Sequence, residues 1–178
     1  MKRWAIVCAF LLVGCGHAEP APEPAPSFDH TSIPTTDPDG QQFTFDDAAT
    51  FPNGLRIQIN EITAKDTTKD KDASEIHGAE GTDGHIVVAE VQVTNDTTLS
   101  LAGEQLQVWG FYGNVGAPKV VDASGALGDS FQGQIRPGER VTASMGWAIP
   151  ADRTDDVTIM VQDNIPGHQP VRFTGPVK

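Results

Sequence analysis

Four stretches of this chain alternate apolar and polar residues with period two, and that pattern constrains the fold more than any other feature. Leu55, Ile57 and Ile59 alternate with Arg56, Gln58 and Asn60. Val87, Ala89, Val91 and Val93 alternate with Val88, Glu90 and Gln92. Val141, Ala143, Met145, Trp147 and Ile149 form a third set, and Val157, Ile159 and Val161 a fourth. Successive side chains of a strand point to opposite faces, so period two predicts strands with one face inward and one toward solvent. Shorter candidates lie at 42–46, 99–101, 106–112, 119–122 and 170–174. Turn signals punctuate them: Pro52-Asn53-Gly54, Asn95-Asp96, Pro137-Gly138 and Pro166-Gly167. The chain has no convincing amphipathic helix of normal length. Seven to nine short strands with regular turns predict an all-β sandwich over 42–178.

What precedes that domain reads as an address and a spacer. Lys2 and Arg3 are followed by an unbroken apolar run from Trp4 to Val13. Ten residues are too few for a bilayer core, which needs roughly 20. A short apolar run behind basic residues predicts a secretory signal, here residues 1–14. Its end, Leu12-Val13-Gly14-Cys15, resembles the lipobox of bacterial lipoproteins. The resemblance implies cleavage before Cys15, a diacylglyceryl group on its sulfur, and anchorage to the extracytoplasmic face of a membrane. Two or more acyl chains hold stably where one holds marginally.

Residues 15–41 then form a tether around Glu19-Pro20-Ala21-Pro22-Glu23-Pro24-Ala25-Pro26. Proline fixes φ and removes a donor, so this disordered segment favours extended polyproline II. Residues 16–41 would reach roughly 80 Å if fully extended.

Cys8 and Cys15 are the only cysteines. One leaves with the signal and the other is acylated, so the domain is held by its core without a disulfide. The cysteine pair of antibody domains is therefore excluded. The net charge is −12 for the whole chain, hence −14 without Lys2 and Arg3. That surplus argues against nucleic-acid binding, which relies on basic patches. The partners expected are the bilayer, through Cys15, and a protein or envelope component.

A family resemblance rests on particular stretches. Phe51-Pro52-Asn53-Gly54-Leu55-Arg56-Ile57 and Val87-Val88-Ala89-Glu90-Val91-Gln92-Val93-Thr94-Asn95 resemble the telokin-like family of exported bacterial proteins. Phe131-Gln132-Gly133-Gln134-Ile135-Arg136-Pro137-Gly138-Glu139, then Trp147-Ala148-Ile149-Pro150, extend the likeness. It covers roughly residues 51–175. It implies an immunoglobulin-like β-sandwich related to mycobacterial immunoprotective extracellular antigens, with no catalytic residues to carry over.

Three features are candidates for chemistry. Residues 65–84 gather Asp66, Asp70, Asp72, Glu75, Glu80 and Asp83 around Lys65, Lys69 and Lys71. Clustered carboxylates suit Ca²⁺, but the spacing lacks the EF-hand glycine, and Gly81 stands at its twelfth position. A solvated loop is the simpler reading. His77 and His85 flank the same acids, yet zinc needs three or four ligands in defined geometry. His17, His30 and His168 fall in the tether or a turn. Asn95-Asp96-Thr97 is formally a glycosylation sequon and reads here as turn chemistry.

The third feature is the run 106–112. If Leu106, Val108 and Tyr112 face the core, Trp109 and Phe111 fall on the opposite face, where aromatics make a partner contact patch. The competing reading is a strand covered on both sides, or a bulge at Gly110 that changes parity. No nucleophile elbow, metalloprotease helix or phosphate loop occurs. The expected role is a non-catalytic binding domain with no cofactor. The alternative is a cation- or small-ligand-binding accessory protein using the acidic loop.

Overall fold

A computed structural model of the chain describes residues 42–69 and 76–178. The expected signal segment, Cys15 and the expected tether lie outside the described residues. Among the described residues no helix is long and apolar enough to cross a membrane.

The described residues form thirteen strands in chain order: β1 (Gln42–Phe43), β2 (Ala48–Thr50), β3 (Leu55–Asp66), β4 (Ile76–His77), β5 (His85–Asn95), β6 (Leu101–Ala102), β7 (Gln107–Tyr112), β8 (Val115–Ala117), β9 (Lys119–Asp122), β10 (Gln134–Ile135), β11 (Arg140–Ala148), β12 (Val157–Gln162) and β13 (Val171–Gly175). They build a five-stranded sheet, β1-β13-β12-β7-β8, and a six-stranded sheet, β2-β3-β5-β11-β9-β4. The small β10-β6 ribbon stands beside them. The fold is a β-sandwich, and inward residues of both sheets meet in one core. Every strand at the edge of either main sheet has only two or three residues, which shortens the unpaired backbone available for aggregation.

The period-two segments are the long strands. Register places Ile57, Val93 and Val141 in one row, and Ile59, Val91 and Ala143 in the next. The parity of β3 would then send Glu61 inward. An extra residue, Asn60, prevents this, because pairing passes from Ile59↔Val91 to Glu61↔Glu90. That bulge sets Ile62 rather than Glu61 beside Ala89 on the core face, since a one-residue shift exchanges the faces of a strand. Asn60 donates to the Glu90 carboxylate at 2.9 Å.

Several elements differ from the sequence expectation. The first strand ends at Phe43 rather than at 46. The Asp47 carboxylate accepts the Thr44 amide and hydroxyl, both at 2.8 Å, and turns the chain there. β3 continues to Asp66, so the first two residues assigned to the acidic loop are strand. β4 and a 3₁₀ turn at Glu80–Thr82 lie inside the same segment. β2, β4, β8 and β10 were not expected at all, being too short for a period to register.

Asn95 acts as a keystone. It is fully buried, and its side chain donates to the carbonyls of Leu99 at 2.9 Å and Ile135 at 2.8 Å. It also accepts the Thr97 amide at 3.1 Å. The amide nitrogen that a glycan would need is therefore committed to holding the turn after β5.

Candidate functional site

β7 is where the sandwich leaves something open. It pairs with β12 along all six of its residues, from Gln107↔Gln162 to Tyr112↔Val157. On its other side β8 covers only Gly110, Phe111 and Tyr112. The reason is local. The hairpin turns at Gly113, which takes φ of 54°, and returns for three residues before reaching Pro118. Proline has no N–H to give a ladder. Its carbonyl instead accepts the Ala148 amide at 2.8 Å, and Lys119 pairs with Trp147 of β11. The chain thus crosses to the other sheet at Pro118 and leaves residues 107–109 without an outer neighbour among the described residues.

Antiparallel pairing alternates, each residue directing both backbone groups to one side. Gly113 donates to the Asp156 carbonyl at 2.9 Å, on the β12 side. Stepping back by twos, Phe111 and Trp109 also bond toward β12. Gly110 and Val108 therefore point the other way. Gly110 meets Ala117 of β8, while Val108 points past the end of that strand.

A groove with a volume of about 540 Å³ runs along this edge. Val108, Trp109 and Phe111 line it from β7, with Lys119, Asp129 and Trp147 opposite or beneath. Leu106 and Val108 belong to the central core cluster and Tyr112 packs against it, whereas Trp109 and Phe111 lie outside that cluster. The register of β7 is continuous, with no bulge at Gly110. The two aromatics nevertheless do not stand free: Trp109 is half-buried and Phe111 only 5% exposed. They are groove lining rather than a protruding patch.

Trp147 forms the floor and ties the sheets together. It is 1% exposed, and a β-carbon added at Gly110 would lie 2.5 Å from its Cγ. Glycine at 110 is what lets the indole rest on the β7 backbone.

Lys119 supplies the electrostatic feature of the groove. Its ammonium donates to the Asp129 main-chain carbonyl, and no carboxylate of the described residues lies within 4.0 Å of it. Burial lowers the pKa of this amine, and the charge of Asp129 opposes the shift. Glu104 accepts the Gly133 amide at 3.2 Å, and Asp129 the Ser130 hydroxyl at 3.1 Å.

The acidic segment is differently arranged. Asp66 pairs with Lys69 at 2.6 Å and accepts the Thr68 hydroxyl at 2.6 Å. Hydrogen bonds from Lys69 and Thr68 hold its pKa at about 2. Glu80 accepts the Gly78 amide at 3.1 Å, and Asp83 sits in a left-handed turn at φ of 51°. His77 is on β4 and His85 opens β5, opposite Asp66. Asp70, Asp72 and Glu75 lie outside the described residues. Among the described residues no three potential ligands gather into a metal cluster.

One pair escaped the sequence reading. Asp163 is 1% exposed, and its carboxylate meets His168 Nδ1 at 2.6 Å, the Ile165 amide at 3.2 Å and the Asn53 amide group at 3.3 Å. Phe51 stacks on the His168 ring at 6.1 Å. His168 is thus a clamp between two loops rather than a plain turn residue. Its only sequence trace is the Asp163-x₄-His168 spacing across Pro166-Gly167.

No protein-family model matches the chain, and no curated protein matches its sequence. Solved structures do resemble it. The yjhA protein of Bacillus subtilis superposes with a TM-score of 0.54 at 13% identity, over 74% of this chain and 99% of that one. A functionally unknown protein of Listeria monocytogenes EGD-e gives 0.52 at 14% identity, over 74% and 82%. A B. subtilis protein, ycdA, proposed to be a lipoprotein, gives 0.50 at 10% identity, over 74% of this chain and 39% of that one. At such identities the likeness speaks for the shared β-sandwich alone.

Proposed function

We propose that this chain is an exported, lipid-anchored binding protein, tethered through Cys15 and residues 16–41, whose sandwich engages a protein or envelope component through the groove beside β7. The observation that carries the reading is the groove itself. It couples a large apolar lining with a half-buried cation and an interrupted sheet edge, and binding sites are concave, mostly apolar and carry a few placed polar groups. The lipobox-like Leu12-Val13-Gly14-Cys15 supports the anchor, as does the likeness to ycdA. The telokin-like stretches support an immunoglobulin-like assignment within the sandwich class. The role is non-catalytic on this reading, and the Asp163–His168 pair serves to hold two loops together.

Photo-crosslinking in intact cells tests it, with the probe at exposed Gln107 on the groove rim and, as control, at exposed Asp152 away from it. A discrete adduct from position 107 alone is expected. Adducts from 152 alone, or from neither position, would count against the groove.

A further inference from the structure

Resting on that reading of the groove, we infer that its occupant is an extended polypeptide segment that adds as a strand beside Val108 and sets a carboxylate against Lys119.

Three independent features converge. The first is backbone chemistry. Val108 presents an N–H and a C=O beyond the end of β8, and it is 5% exposed. Among the described residues neither group has a backbone partner; an unmatched main-chain pair is costly, and an added strand satisfies both groups at once. A compact ligand resting on one face of the sheet would satisfy neither.

The second is the shape of the lining. Residues of both faces of β7 contribute: Val108 belongs to the inner face, and Trp109 and Phe111 to the outer. The groove therefore follows the strand's edge rather than lying over one side. A strand placed there alternates its own side chains, one set toward Trp109 and Phe111, the other toward Trp147 and Lys119.

The third is charge. Lys119 is a half-buried cation whose one hydrogen-bond partner among the described residues is a neutral carbonyl, in a chain of net charge −12. Glu104 and Asp129 also line the groove, each accepting one hydrogen bond, from Gly133 and Ser130, and neither forms an ion pair with Lys119. An incoming carboxylate finds its complement at Lys119 alone. The overall negative charge opposes an acidic run, so the segment carries one acid at that position among uncharged neighbours.

Random peptides of about eight residues, displayed on phage and selected on the full lipidated chain in detergent micelles, supply the probe. Each selected peptide is then resynthesised in two forms, N-methylated at alternate residues in either phase. Strand addition predicts that one phase weakens binding by about ten-fold or more while the other is tolerated. Lys119→Met is predicted to weaken the same peptides by about ten-fold with the thermal midpoint retained.

Peptides indifferent to both methylation phases, or to Lys119→Met, would overturn the inference. A failure to select any peptide, with the Gln107 adduct still formed, would also overturn it and leave the groove as a site for another ligand. Loss of both peptide and adduct would remove the groove reading as well.

Discussion

β5 and β7 are both interior strands of their sheets, yet they use their edges differently. β5 is paired along its length by β3 on one side and β11 on the other, and its inward residues alternate without a break. β7 is paired along its length by β12 but along only half of it by β8. Its interior glycine receives an indole from the opposite sheet, and its outward face carries two aromatics. The first strand is spent on stability. The second keeps backbone, aromatic surface and a cation where another molecule can reach them, and such departures from local regularity are where binding surfaces arise.

The largest test of this contrast is Trp147→Ala. Trp147 pairs with Val87 of β5 and presses on Gly110 of β7, so it joins the two regions. Removing a buried aromatic of this size is expected to cost about 3–5 kcal/mol, read by urea unfolding. A loss under ~1 kcal/mol would mean the joint is dispensable.

Gly110→Ala follows. Its β-carbon would sit 2.5 Å from the indole, and overpacking of this kind costs about 1–3 kcal/mol. The outward Gln92→Ala on β5 should stay within about 0.5 kcal/mol. Equal effects at the two positions would mean that the β7 backbone is no more tightly packed than the outer face of β5.

The smallest effect is electrostatic and needs only an NMR titration. Lys69, at the β3–β5 end, is held above the ordinary lysine value of 10.5 by its bond to Asp66. Lys119, in the β7 groove, is pushed below it by burial. Asp66 should titrate at about 2. Its folded value is depressed, so its contribution to stability is present above the ordinary value of 3.8 and disappears as pH falls through about 2. Lys69→Met should move the Asp66 midpoint upward. Two lysines titrating together would erase the distinction between the regions.

How much of this was legible in the sequence follows from the same contrast. β5, β11 and β12 announce themselves because a strand buried on one face writes a period of two into its residues. The β-sandwich class followed from those strands and the turns between them. Asn60 was readable only in part: alternation holds through Ile59, and nothing local says that one extra residue then preserves the inward face of Ile62. In β7 the outward aromatics were visible, and their parity could be argued from Leu106 and Val108. A strand covered on both sides was one of the readings the residues left open; the groove itself was not legible, because it depends on where Pro118 sends the chain and on the residues near 129 that line it. Lys119 was read only as the start of a strand. The Asp163–His168 clamp was invisible for a similar reason, since Asn53 and Phe51 complete it from more than a hundred residues away.

Amide hydrogen exchange across β7, followed by NMR on the free chain, reads directly whether the edge at Val108 is open. Gly110 lies under β8, whereas the Val108 amide faces the groove. Val108 is expected to exchange faster than Gly110 and Phe111 by about two orders of magnitude or more. Protection of Val108 equal to that of Gly110 would mean that the edge is already closed, and the groove beside β7 would lose the feature on which its role depends.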